Sequence, residues 1–254
     1  MASVDEQVAV GQRPAGSPQL RELAERLRAE LPNGAFEPVP GHPGLRNVVG
    51  ALPGPGPAIV VAAHYDTEAH PPGFVGANDG AAGTAAVVEL ARTLERELPE
   101  GHREVRFVLF DGEEEPLGCP DARFQRCALR GSKAYAAAHR DEIGELILLD
   151  YIAHEGVRLG REANSDKALY ERLREAASEA GFGAVFEGDQ GVAVIDDHVP
   201  FLLQGVPAID LIDFSYRYAD TLEDTPDKLS EDSMDAVGES VAELVIELAS
   251  PPQE

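Results

Sequence analysis

Acidic side chains and one histidine stand directly after short apolar runs at several separate places in this chain. Residues 59–63 hand over to His64-Tyr65-Asp66, and a loop then leads to Gly76-Ala77-Asn78-Asp79-Gly80. Val105–Phe110 is followed at once by Asp111-Gly112-Glu113-Glu114-Glu115, residues 145–149 by Asp150, and residues 206–212 carry Asp210 with Asp213 just beyond. A divalent-cation site needs ligands that are unprotonated near neutral pH, and hydrolysis there needs one further carboxylate free to take a proton from water. His64 and Asp79 are candidate ligands. Asp66, two residues past His64, is the candidate acceptor that orients its ring, because ligating imidazoles usually carry such a partner. Asp79, at the head of a helix and flanked by Asn78 and Gly80, is placed to bridge two ions about 3.5–4 Å apart. Glu113 and Glu114 are adjacent and point in different directions, so one can be the catalytic base and the other a ligand.

Periodicity supplies the elements that must position these groups. Ser17 caps a helix with a Leu20, Leu23, Leu27, Leu31 stripe that Pro32-Asn33-Gly34 closes. Arg46–Leu52 and residues 59–63 read as strands, separated by a proline-rich turn over 53–57. A helix is expected over 81–98, with Val87, Leu90, Ala91 and Leu94 facing inward. Val105–Phe110 is a strand, residues 132–139 a helix, 145–149 a strand, 168–180 an amphipathic helix, 206–212 a strand and 232–248 the closing helix. Strands alternating with helices, and strands that are apolar throughout, imply a mostly parallel sheet covered on both faces. In such sheets ligands bind beyond the carboxyl ends of the strands. Four strand ends bearing acid or His therefore converge on one acidic pocket. The expected fold is α/β: a single domain over 1–254, a central mixed and mostly parallel sheet with helices on both faces, and residues 1–40 as an N-terminal helical segment packing on the core.

Composition narrows the partners. The 254 residues are 43% hydrophobic and carry a net charge of −25, with 46 acidic residues against 21 basic ones. Such a surface repels nucleic acid and anionic membranes. No apolar run is long enough to span a bilayer. The first residues, MASVDEQVAV, lack the basic start and apolar stretch of a signal peptide, so the chain as written reads as soluble and cytoplasmic; a secreted protein whose leader had been removed would read the same. Cys119 and Cys127, eight residues apart, match no metal-binding spacing and read as two plain thiols, with a local disulfide as the alternative. His42, His70, His102, His139 and His154 read as surface residues.

His64-x-Asp66, Asn78-Asp79-Gly80, Gly112-Glu113-Glu114, Asp150 and Thr221-x-x-Asp224-Thr225 together resemble the co-catalytic zinc aminopeptidases of clan MH, a fold shared with glutaminyl cyclases. The likeness runs from Ala15-Gly16-Ser17-Pro18 to the last helix. It implies a zinc exopeptidase fold with Asp79 bridging two ions, His64 and Asp150 completing one site, Glu114 serving the other, and Glu113 as general base or, in a cyclase, proton shuttle. Asp196-Asp197-His198-Val199-Pro200-Phe201 resembles a pocket segment of both branches, and its doubled Asp leans towards the cyclases. Asp197, His198 and Asp210 are the candidate substrate-pocket residues. One position departs from the pattern: Asp220 stands where the family places its fifth ligand, a His, and Ala219 stands where an aromatic is usual. The second site would then be Asp79, Glu114 and Asp220, an all-oxygen set that suits Mn, Mg or Ca as well as zinc.

The resemblance implies a metal-dependent exopeptidase acting on peptide or aminoacyl substrates beside a free N-terminus. A glutaminyl-peptide cyclotransferase is the alternative, although related cyclases line their pocket with Trp and this chain has none. A relative that lost its chemistry through the change at Asp220 is the third reading.

Overall fold

The structure, a computed structural model, describes residues 1–251. Six strands form one sheet in the order β1 (Ala35–Pro38), β2 (Arg46–Leu52), β4 (Val105–Phe110), β3 (Ala58–His64), β5 (Ile143–Leu149), β6 (Ala208–Leu211). β3 pairs in parallel with β4 and β5, and β5 with β6; β1 and β2 run antiparallel at one edge. The sheet is thus mixed and mostly parallel, as the alternating pattern implied. Its four parallel strands deliver their carboxyl ends to one edge.

Alternation along each strand splits the core in two. Ile59, Val61 and Ala63 of β3 face α2 (Pro18–Glu30), α3 (Gly83–Glu97), α6 (Lys167–Glu179) and α8 (Glu231–Ala249). Val60 and Ala62 face α5 (Arg130–His139) and α7 (Val199–Leu203) through Tyr135, Ala136 and Phe201. Every residue of β3 is buried, as a centrally placed, doubly covered strand must be. The Ser17 hydroxyl accepts the Leu20 amide at 3.1 Å and starts α2.

Several elements differ from expectation. α1 (Ala2–Val8) lies in the N-terminal segment expected to be helical, although no stripe marked its bounds; Val4 inserts it against Ala77, Ala81 and Ala85. β1 lies inside the N-terminal segment expected to be helical, and its register is Ala35 to Val49 through Pro38 to Arg46. The helix expected from Ala81 begins only at Gly83, behind a π-helical turn over Ala77–Ala82. The short α4 (Phe124–Cys127) precedes α5, and Cys119 and Cys127 are joined as a disulfide with Cα atoms 6.3 Å apart. That separation is ordinary for a disulfide and corrects the reading of two thiols. No helix of the described residues is long and apolar enough to cross a membrane.

Candidate active site

Register places the functional side chains. His64 ends β3 opposite Phe110 of β4, so Asp111 and the acidic turn begin one step beyond it. Ala62 aligns with Leu148 of β5, which puts Asp150 level with His64. His64 Nε2 lies 3.1 Å from Asp79 Oδ1 and 3.5 Å from Asp150 Oδ1. Donor atoms of His64, Asp79 and Glu114 fall within 4.8 Å of one another, and all three residues are buried.

The loop that carries Asp79 is held by Asp224. Its carboxylate accepts the Asn78 amide at 2.9 Å and the Asp79 amide at 3.1 Å, while Asn78 Oδ1 accepts the Ala153 amide at 2.9 Å. Asp79 and Gly80 break the helical geometry of the π turn. Gly80 has φ +85°, and a Cβ there would lie 2.8 Å from the Asp66 carbonyl oxygen, so only glycine fits.

The acidic turn after β4 is held differently from expectation. Asp66 Oδ1 accepts the amides of Gly112 at 3.0 Å and Glu113 at 3.2 Å, and Oδ2 that of Glu114 at 3.4 Å. Its distance to His64 Nδ1 is 3.9 Å, too long for a hydrogen bond. Asp66 therefore positions the Glu113-Glu114 backbone rather than the imidazole. Arg130, at the head of α5, donates to the carbonyls of Gly112 and Glu114 from the other side.

Burial dominates the electrostatics. It pushes the Glu113 carboxyl well above the usual carboxylate range; His64 opposes this, and Asp196 and Asp197 reinforce it. Glu114 is raised by burial, then by Asp79 and Glu113. Asp150 rises to about 7 through burial, against the hydrogen bond from His64. Burial alone would lower His64, yet its bonds to Asp150 and Asp79 raise it well above the usual imidazole value. So many buried carboxylates around one imidazole make a donor set that fits a divalent cation, whose charge would stabilise the ionised acids.

Asp220 joins the site only indirectly. The Tyr151 hydroxyl stands 2.9 Å from Asp79 Oδ2 and 3.0 Å from Asp220 Oδ1, linking the two carboxylates. Tyr151 has φ +45° and packs against Phe214 and Tyr216, with Tyr218 next in the same aromatic cluster. Asp197, His198 and Asp210 do not line an open pocket. They are 0%, 0% and 1% exposed, because the buried Val199, Pro200 and Phe201 of α7 draw the segment inward. His154 is also buried and pairs with Asp213 at 3.2 Å, so it is no surface residue.

Two contributors carried no sequence signal. Tyr151 is one tyrosine among six. Arg13 is fully buried and donates to the carbonyls of Tyr65, Val75 and Gly76 beneath the acidic cluster. Burial lowers its guanidinium to about 10 although Asp79 and Asp66 oppose this, so it remains a cation under the site.

The profile described as Peptidase family M28 matches residues 47–245, which holds β2 through most of α8 and every strand-end acid described above. The chain belongs to peptidase family M28. Among curated relatives of this M28 chain, a glutaminyl-peptide cyclotransferase of Gloydius blomhoffii is 28% identical over 232 residues, covering 74% of the chain and 61% of the relative. The chain thus spans about three-fifths of that relative's length. Among solved structures, a glutaminyl cyclase from an Acidobacteriales bacterium superposes with a TM-score of 0.82 at 28% identity, over 98% of this chain and 92% of the other. A leucine aminopeptidase precursor from Bacteroides thetaiotaomicron gives 0.82 at 25% identity, over 96% and 94%.

Proposed function

We propose that this M28 chain is a metal-dependent enzyme of the glutaminyl cyclase type, closing the N-terminal glutaminyl residue of a peptide into a pyroglutamyl ring. The observation that carries the reading is the place of Glu113, buried beside Glu114 with Asp196 and Asp197 close by. A carboxyl group held there can pass a proton between two nitrogens of one bound substrate. The substrate amine attacks its own γ-carboxamide carbon, and the new N–C bond forms as the carboxamide C–N bond breaks. Glu113 gives its proton to the leaving nitrogen, which departs as ammonia, and recovers a proton from the attacking amine. The names of the relatives lend independent support.

His64, Asp79 and Glu114 would hold the cation, with Asp150 beside them; zinc suits the mixed nitrogen and oxygen donors. A cation bound there supplies Lewis acidity towards the carboxamide oxygen. Asp220, tied to Tyr151, acts on this set through the hydroxyl instead of as a direct ligand. The negative surroundings favour the free amine end of a peptide, and Tyr151, Phe214, Tyr216 and Tyr218 supply an aromatic wall in a chain without Trp.

A hydrolytic exopeptidase is the second reading, favoured by the absence of Trp and by the likeness to the aminopeptidase precursor. Parallel assays decide between them. A peptide with N-terminal Gln is expected to release ammonia, and its N-acetylated form to stay intact. Cleavage of an aminoacyl anilide without ammonia release from the Gln peptide would reverse the order of the two readings.

A further inference from the structure

A second set of donors lies deeper, beyond Asp150 and Glu113. Glu162 is fully buried and accepts the amides of Asn164 at 2.8 Å and Val194 at 3.0 Å, together with that of Ser165. Three amides converging on one carboxylate fix it as an anion. Its Oε1 lies 3.4 Å from His198 Nε2, and Asp210 Oδ2 lies 3.6 Å from Nδ1 on the other side of the ring.

Neither ring nitrogen makes a hydrogen bond. The orphaned atoms gather here. Both ring nitrogens of His198, both oxygens of Asp210 and Asp196 Oδ2 are buried without a hydrogen-bond partner. Asp196 Oδ1 is used by the Asp197 amide and the Asp210 amide is held by the Ser165 hydroxyl, so the backbone is satisfied while the free side-chain atoms are not. Buried polar atoms are rarely left so, and several together call for a common partner. Donor atoms of Asp196, His198 and Asp210 lie within 4.8 Å of one another, at residues 4%, 0% and 1% exposed.

We propose that Asp196, His198 and Asp210 bind a second-site divalent cation of the zinc or manganese class, structural in role and distinct from the one at His64, Asp79 and Glu114. Two carboxylates balance one divalent charge, so the cation would offset the cost of burying Asp196 and Asp210 side by side. One imidazole among oxygens selects zinc or manganese over calcium and magnesium. Glu162 completes the arrangement as the acceptor that orients the ligating imidazole.

Anomalous scattering tests this without altering the protein. Crystals of the full chain loaded with zinc, and separately with manganese, are measured on either side of each metal's absorption edge. The expected result, with at least one of the ions, is a peak in bonding contact with Asp196, His198 and Asp210. A water or a direct carboxylate–imidazolium contact there with both ions, whatever the His64 group holds, overturns the proposal. In solution, the Asp79→Asn/Glu114→Gln double variant should retain one ion per chain through gel filtration, and adding His198→Gln should remove it. A double variant that folds, by circular dichroism, yet retains none also overturns it. Neither readout depends on turnover, so the outcome is independent of whether the chain cyclises glutamine.

Discussion

Glu113 and Glu114 share one peptide unit but have different company. Glu114 joins His64 and Asp79, whereas Glu113 feels Asp196 and Asp197 from behind. Glu113→Gln keeps the shape and removes the transferable proton, so turnover of a Gln peptide should fall by about 10²–10⁴-fold while bound metal stays constant; loss of metal with activity would assign Glu113 to binding instead. Asp79→Asn should remove the ion held by His64, Asp79 and Glu114, lowering the metal content by one ion per chain in elemental analysis, whereas Asp220→Ala should leave it in place, because Asp220 lies beyond the Tyr151 hydroxyl. At this scale the sequence conveyed residue types better than contacts. The strand-end acids were legible because each directly follows an apolar run. That Asp66 serves three amides, or that His198 and Asp210 lie under the surface, depends on how the acidic turn and α7 pack, and spacing carries no trace of it.

Elements fix where those side chains can reach. α3 begins at Gly83 pressed on β5: a Cβ at Gly83 would lie 2.3 Å from the Leu149 carbonyl oxygen and 3.1 Å from Ala63 Cβ. Both neighbours sit one residue before a candidate ligand, Asp150 and His64. Gly83→Ala should therefore cost on the order of 1–3 kcal/mol of stability in denaturant titration and also weaken metal binding; full stability would show that the contact relaxes freely. Long periodic helices such as α2, α6 and α8 lie within a residue or two of their expected bounds. The π turn over Ala77–Ala82 was hidden because its small residues read as the first turn of an ordinary helix. β1 was hidden because four residues ending in proline give too short an alternation to recognise.

Over the whole molecule, acid and histidine pairs tie loops to the core and set the response to pH. Burial alone would raise Asp213, yet its bonds with His154, Ser215 and Arg158 hold it at about 2, below its ordinary 3.8. A depressed carboxylate contributes stability above its unfolded value, and that contribution is lost as pH falls through the folded one. The native protein should lose melting temperature between about pH 4 and pH 2 more steeply than Asp213→Asn; parallel curves would remove the pair from the acid response.

The central claim is that the carboxyl edge of β3, β4 and β5 forms a cation-dependent centre for N-terminal glutamine. The most direct measurement is mass spectrometry of a Gln-initiated peptide incubated with chelator-stripped protein, then with the same protein after zinc is restored. The account predicts no change before zinc and conversion to the pyroglutamyl peptide with loss of ammonia after it. An unchanged peptide under both conditions, or release of free glutamine, would contradict it.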